Sequence, residues 1–430
     1  MSGDDLMARR RHRLGRSLSL SYREPLAIVR GSGAYLYDAD GRAYLDLVNN
    51  VAHVGHAHPR VVEAAARQKA LLETNTRYLH PTILDYADRL VATLPPHLEV
   101  IHLVNSGSEA NELALRMARA ASGRRAVLAI EGGYHGNTSG LVEVSPYKFD
   151  GPGGAGRPET TFVAPLPDPY RGSHRDRTPQ AAADYVDDLG RVIDAAAAEG
   201  RPVGTFIAEA APGTAGQVVP PLGYLAAAFE RAHAAGALVI ADEVQLGLGR
   251  VGTHWWGFEV EGATPDIVTM GKPLGNGHPL GAVATTRAIA AAFANGMEYF
   301  NTFGGNAVSA AVGLAVLDVI EAEGLRPRAI ESGTRFQAGF RELAGRHPAI
   351  GDVRGLGLFI GVVLVADRDS RGPATELAAA VVEGAKDRGI LLSTDGQHHD
   401  VLKIKPPLVI ESDAIDRTIE VLDQVLGALK

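Results

Sequence analysis

Three observations in the sequence predict an α/β fold with a largely parallel sheet covered by helices on both faces. Short β-branched runs alternate with Ala-rich amphipathic stretches through most of the chain, and each helical stretch is bounded by Gly, Pro or Ser. The 430 residues, 46% of them hydrophobic, suffice for about two or three domains with a large core. In chain order, strands are expected over 101–104, 126–130, 205–209, 237–242, 267–270 and 281–285, with helices over 109–121, 178–198 and 225–235 between them. Segment 147–174 is rich in Pro, Gly and Arg without periodicity and reads as a long surface or active-site loop. A smaller unit begins near residue 307, with helices over 307–322, 328–345 and 374–388, a strand over 358–365 and a last helix ending at 429.

Composition narrows the chemistry. The chain has no Cys, which excludes a disulfide framework, a Cys-type zinc site and a thiol nucleophile. With 42 Lys+Arg against 50 Asp+Glu the formal charge is −8, which disfavours nucleic acid as a partner. No apolar run reaches the roughly 18 to 20 residues of a membrane helix, and the basic cluster Arg9-Arg10-Arg11-His12-Arg13 precedes polar sequence, so it reads as a solvated N-terminal arm of a cytoplasmic protein.

Three stretches carry chemistry. Val104-Asn105-Ser106-Gly107-Ser108-Glu109-Ala110-Asn111 runs from a strand through a Ser/Gly turn into a helix, with no role read for Asn111. Free backbone N–H groups and the helix dipole there favour a phosphate, although a plain N-cap would look the same. Leu238-Val239-Ile240-Ala241-Asp242-Glu243-Val244-Gln245 ends a buried-looking strand in acids, at the sheet edge where open α/β folds bind ligands. A buried carboxylate there needs a cationic partner, such as a protonated pyridine nitrogen; alternatively it caps a turn. Ile267-Val268-Thr269-Met270-Gly271-Lys272-Pro273 delivers a lysine from a strand into a Gly/Pro-rich turn, where a desolvated amine becomes nucleophilic and able to form a Schiff base. In this order, phosphate cup, strand-end Asp and strand-end Lys match what pyridoxal phosphate requires.

These elements resemble the class III group of fold type I pyridoxal-phosphate enzymes, and the resemblance covers nearly the whole chain. It implies a large, mostly parallel seven-stranded domain over 71–306 and a smaller α+β domain built from 1–70 and 307–430. It also implies a pyridoxal 5'-phosphate cofactor and a small-molecule amine substrate. Lys272 would be the Schiff-base lysine and proton carrier, and Asp242 the partner of the ring nitrogen. Gln245 would contact the ring's 3-oxygen, Ser106, Gly107 and Ser108 would hold the phosphate, and Tyr134 and Val244 would cover the two ring faces. His135 would support the ring and Glu209 matches a further acid of the site. In Asn301-Thr302-Phe303-Gly304-Gly305-Asn306, Thr302 would reach the phosphate bound by a neighbouring subunit, implying a homodimer with active sites at the interface.

Longer runs, Asn49-Asn50-Val51-Ala52-His53-Val54-Gly55-His56, Asn75-Thr76-Arg77-Tyr78-Leu79-His80, Met270 to Pro279, and Val401-Leu402-Lys403-Ile404-Lys405-Pro406-Pro407, are similar to the ethanolamine-phosphate and phosphohydroxylysine phospho-lyases. On that likeness and on chemical type Arg77, Lys403, Arg354, His53 and Asn50 are the candidate contacts to a substrate phosphate, Arg354 only by its place in Asp352-Val353-Arg354-Gly355-Leu356-Gly357, where a structural turn Arg is the favoured reading. Ornithine- and γ-aminobutyrate-type transaminases carry a second Glu where this chain has Thr214, and a carboxylate-binding Arg where it has Lys403. Loss of both favours a one-substrate lyase over a two-substrate transaminase. An ω-aminotransferase is the alternative, and a scaffold without turnover is disfavoured by the intact Lys272, Asp242 and Gln245. Gly247-Leu248-Gly249-Arg250-Val251-Gly252 fits a dinucleotide fingerprint but runs into Trp255-Trp256 rather than a helix, and is rejected. His53, His56 and His58 have no interleaved acid and read as part of the pocket entrance rather than a metal site.

Overall fold

Seven strands form the central sheet of the computed structural model, which describes residues 3–429. Their spatial order is Val100–Val104, Gly281–Thr285, Ile267–Met270, Leu238–Asp242, Val203–Ala208, Ala126–Ile130 and Thr161–Ala164. Gly281–Thr285 runs antiparallel to both of its neighbours, and the other four pairings are parallel. The inner strands Ala126–Ile130, Val203–Ala208, Ile267–Met270 and Gly281–Thr285 are buried along their full length and Leu238–Asp242 at all but its first residue, so they read as apolar runs without alternation. Helices Gly107–Ser122, Pro179–Ala198 and Tyr224–Ala234 cover the sheet and bury Ala and Leu against it.

The direction of the strands places the site. Val100–Val104, Ile267–Met270, Leu238–Asp242, Val203–Ala208 and Ala126–Ile130 all end at the same edge, so the residues just beyond them, from Ser106, Lys272, Asp242, Glu209 and Tyr134, converge there.

Two further sheets flank this body. In one, Ile28–Ser32, Tyr35–Asp38 and Ala43–Asp46 from the start of the chain are joined by Ile390–Leu391 from near its end, paired parallel to Ala43–Asp46. In the other, Ile350–Leu356, Phe359–Asp367, Val401–Ile404 and Ser393–Asp395 are antiparallel neighbours. Chain ends distant in sequence thus share one structural unit, and Lys405 N–H donates to Leu47 O at 2.8 Å across it.

The expected loop over 147–174 is a correction. It contains the end of a short helix, Pro146–Phe149, and the edge strand Thr161–Ala164, whose four residues were too few to impose a period amid Pro, Gly and Arg. The basic arm is largely exposed, as expected, and Arg10–Arg13 form the last turn of helix Gly3–Arg13, where cations complement the negative end of the helix dipole. The sequence reading missed the strands before residue 50, which are short and show no alternation of burial in Tyr35–Asp38 or Ala43–Asp46.

Helix Ala307–Ala322 is apolar on nearly all sides because helices Pro59–Leu71 and Pro81–Val91 and the turn after Lys272 pack around it. Gly313 permits the closest of these approaches, since a β-carbon there would lie 2.4 Å from the buried ring of Tyr86. Gly313→Ala is therefore expected to destabilise the protein by about 1–3 kcal/mol despite its better helix propensity. Tyr86→Phe is expected to be neutral or stabilising, because the buried Tyr86 hydroxyl has no hydrogen-bond partner. Urea unfolding at fixed protein concentration checks both.

Candidate active site

A cavity of about 430 Å³ opens at the carboxyl edge of the central sheet. Ser106, Gly107, Ser108, Tyr134, His135, Glu209, Asp242, Val244, Gln245 and Lys272 all line it, so the structure brings together ten residues that the sequence scattered over 167 positions.

At its floor lies the start of helix Gly107–Ser122. Ser106 is the N-cap, its hydroxyl accepting from Glu109 N–H at 3.1 Å. The amides of Gly107 and Ser108 donate to nothing among the described residues, which leaves two N–H groups at the positive end of a 16-residue helix facing the cavity. Glycine is required here by close approach. A β-carbon on Gly107 would sit 2.8 Å from Val244 Cγ1, and one on Gly271 would sit 3.0 Å from Gly107 N. The lysine turn and the phosphate cup can therefore abut directly.

Asp242 is 3% exposed and ends the central strand. One carboxyl oxygen, Oδ2, accepts from Asn111 Nδ2 at 2.8 Å and lies 2.8 Å from His135 Nδ1. The other, Oδ1, accepts from Val244 N–H at 3.1 Å. Asn111 was not foreseen. Its position four residues beyond Gly107, on the inner face of the helix, was the available signal. His135 is held in turn by Ser145, whose hydroxyl accepts from its backbone N–H at 2.9 Å. Tyr134 stands edge-on to Tyr147, ring centroids 5.9 Å apart.

Lys272 follows its strand in an unusual backbone conformation, with φ of +26°, a region that a β-carbon disfavours and that is often found at functional sites. Burial pulls its pKa below the ordinary lysine value and nearby Lys403 adds to this, while Asp242 and Glu209 oppose it. Burial, with Asp242 nearby, pushes Glu209 up in the opposite sense.

The five residues read as contacts to a substrate phosphate are placed differently. Asn50 donates from Nδ2 to Gln245 Oε1 at 2.7 Å and so supports a cavity residue. Lys403 pairs with Asp395 at 3.4 Å and does not line the cavity. Arg77 is exposed, pairs with Glu298 at 2.9 Å and stacks over Phe300 at 4.1 Å. Arg354 is buried away from the cavity, where it donates to Gly216 O at 2.7 Å and pairs with Asp168 at 3.1 Å, holding a loop to the antiparallel sheet. His53 is fully buried, its Nε2 2.7 Å from Leu248 O and its Nδ1 3.3 Å from Arg250. Burial and Arg250 pull its pKa down to about 3, so it offers no cation near neutrality. The three histidines of its motif face separate partners, since His56 pairs with Asp46 and His58 with Glu323. The Gly247–Gly252 stretch runs through turns and bends to a short 3-10 helix, Gly257–Glu261, and no α-helix starts on it. Thr302 is exposed and lies outside the cavity of its own chain. The cation that the sequence reading passed over is Lys405, fully buried, 3.3 Å from Gln245 Oε1 and 4.0 Å from Asp395.

The donor set fits pyridoxal phosphate. Two free helix-start amides suit a phosphate, a buried carboxylate suits a protonated ring nitrogen, and His135 Nε2 and Asn111 Oδ1 are buried beside the cavity without partners.

A family model described as aminotransferase class-III matches residues 19–426. A Drosophila melanogaster protein named alanine–glyoxylate aminotransferase 2-like is 45% identical, over 97% of this chain and 85% of its own length. Ethanolamine-phosphate phospho-lyase homolog 1 of Caenorhabditis elegans is 40% identical, over 99% of this chain and 94% of its own. Among solved structures, a phospholyase from Arthrobacter in complex with phosphoethanolamine matches with a TM-score of 0.94 and 40% identity, over 99% of this chain and 100% of that one. An amine transaminase from an uncultivated Pseudomonas species, in its PLP-bound form, matches with a TM-score of 0.89 and 30% identity, over 97% and 99%.

The burial of His53 sets an acid response. Between about pH 6.5 and pH 3 the unfolded chain binds a proton that folded His53 does not, so stability falls as pH falls through that window. His53→Leu, though less stable near neutrality because Leu248 O loses its partner, is expected to lose stability less steeply, by up to about 1.4 kcal/mol per pH unit. Urea midpoints of the two proteins between about pH 7 and pH 5 measure the difference.

Proposed function

The chain belongs to the class III aminotransferase family, whose cofactor is pyridoxal phosphate, and from that premise we propose that it is a phospho-lyase. Its reaction would release phosphate and ammonia from a phosphorylated amine such as phosphoethanolamine and leave an aldehyde. The names of its relatives divide between lyase and transaminase, so the site must decide. The observation that carries the lyase reading is the state of positions 214 and 403. Thr214 is bound to Gly132 O at 3.2 Å and Lys403 to Asp395 at 3.4 Å. Neither is available as half of the acid–Arg switch with which a two-substrate transaminase would alternate between substrates. The 45% likeness to a protein named as an aminotransferase favours the alternative, an ω-aminotransferase.

In this reading the amides of Gly107 and Ser108 and the hydroxyls of Ser106 and Ser108 bind the cofactor phosphate, Asp242 accepts the ring N–H, and Val244 and Tyr134 enclose the ring. Bound pyridoxal phosphate supplies an electron sink for a carbanion next to nitrogen. Lys272 Nζ, its proton affinity lowered by burial, holds the cofactor at rest and then takes the proton from the substrate carbon that bears nitrogen. The net change would be a phosphorylated amine plus water giving aldehyde, ammonia and phosphate, the phosphate taking the electron pair of its C–O bond and Lys272 Nζ reclaiming the cofactor as the substrate nitrogen is freed.

We place the working unit as a homodimer. Tyr78, Leu79, Phe300 and Phe303 are 67%, 98%, 40% and 71% exposed, a set of large apolar side chains that solvent disfavours. Arg77 and Thr302 lie among them, where a second subunit's cavity could use both.

With phosphoethanolamine and no keto acid, catalytic and equimolar release of phosphate and ammonia is expected. Release of neither, with amine transfer only on addition of a keto acid, would establish the aminotransferase. Leu79→Asp with Phe303→Asp is expected to shift sedimentation from dimer to monomer and to lower activity at least tenfold.

A further inference from the structure

We infer that Lys405 is a positioning residue that fixes which end of the Gln245 carboxamide faces the cofactor. Gln245 Oε1 receives Asn50 Nδ2 at 2.7 Å and Lys405 Nζ at 3.3 Å, while Gln245 Nε2 donates to nothing among the described residues and Gln245 lines the cavity. The amide–amide pair alone has two equivalent arrangements. If both amides turned over, Asn50 Oδ1 would accept from Gln245 Nε2 and an acceptor, Gln245 Oε1, would face the cavity instead of a donor. An ammonium has three donors and no acceptor, so Lys405 breaks that equivalence. Turning Gln245 over would bring its NH₂ against the Lys405 ammonium. Burial pulls Lys405 down to about 7 and Lys403 and Lys272 add to this, while Asp395, 4.0 Å away, and Glu209 oppose it, so the ammonium that breaks the equivalence prevails below about pH 7. Lys405 is itself anchored by its backbone, which donates to Leu47 O at 2.8 Å, so the segment that carries Asn50 and the segment that carries Lys405 meet at Gln245.

The inference rests on the reading of Gln245 as the donor to the ring's 3-oxygen. A donor there disperses negative charge on that oxygen and weakens its hold on the neighbouring imine proton. An acceptor there does the reverse. The test is the pH titration of the visible absorbance of the cofactor-loaded protein. Lys405→Met is expected to raise the midpoint by about one pH unit, the scale of one hydrogen bond to a charged group. Asn50→Leu, in which Lys405 still holds Gln245 Oε1, is expected to move it by less than about a third of that. Lys405→Arg keeps donors without an acceptor and is expected to restore the wild-type midpoint, which a merely structural role for the lysine would not require. Gln245→Leu is the reference and is expected to shift the midpoint as Lys405→Met does. If Gln245→Leu shifts it and Lys405→Met does not, the positioning role is wrong. If Gln245→Leu itself leaves the midpoint unchanged, the ring-oxygen contact fails and the inference falls with it, while the lyase reading, tested by phosphate release, stands apart.

Discussion

The site depends on how much charge can be kept in one volume with little water. At one edge of the sheet stand two acids, Asp242 and Glu209, and Lys405, all three buried, with Lys272 half-buried at the cavity and the pair of Lys403 and Asp395 beside them. Burial disfavours every charged form, pulling Lys272 and Lys405 down and pushing Glu209 up, so each group needs the opposite charge of another to remain ionised. None of them could be removed without leaving an uncompensated neighbour, a larger penalty than the loss of any one hydrogen bond. Bound pyridoxal phosphate would bring one anionic and one cationic end into this set, and the free amides at the helix start and the carboxylate of Asp242 would suit the two ends.

Geometry enforces that match through backbone rather than through long side chains. Gly107 and Gly271 let the helix start and the lysine turn approach until no β-carbon would fit between them, and Val244 fills the remaining space. The strand ends supply the rest. Their shared direction follows from parallel pairing, with Gly281–Thr285 inserted antiparallel so that Val100–Val104 still points toward the site.

This explains what was legible in the sequence. The strand that ends in Asp242 and the strands that stop two residues before Lys272 and before Ser106 are short, mainly apolar runs followed by a polar residue, a pattern that survives without knowledge of the fold. The supporting residues are not of that kind. Asn111 and Asn50 bear on the site only through tertiary hydrogen bonds to Asp242 and Gln245 that no local pattern encodes. Lys403 and Lys405 are two residues apart, hence on one face of an extended segment, and both approach Asp395. The spacing Lys-Ile-Lys therefore carried both cations, yet a reading from family position fell on the more exposed one. Arg354 and His53 misled for the opposite reason. Chemical type suggested anion binding, but Arg354 is committed to Asp168 and a carbonyl, and His53 is closed off by Leu248 and Arg250.

Arg77 and Thr302 complete the argument about assembly. A guanidinium that stacks on an exposed aromatic ring and pairs with an exposed carboxylate gains little in water, because solvent screens the pair and frees the side chains. The same arrangement becomes worth more once an apolar surface covers it, since Phe300, Phe303, Tyr78 and Leu79 leave solvent together and the local dielectric falls. Burying that surface and strengthening those polar contacts are then one event. In the proposed homodimer Arg77 and Thr302, which lie outside their own chain's cavity, would meet the cavity of the other copy, and association and completion of the anion-binding site would then be thermodynamically coupled.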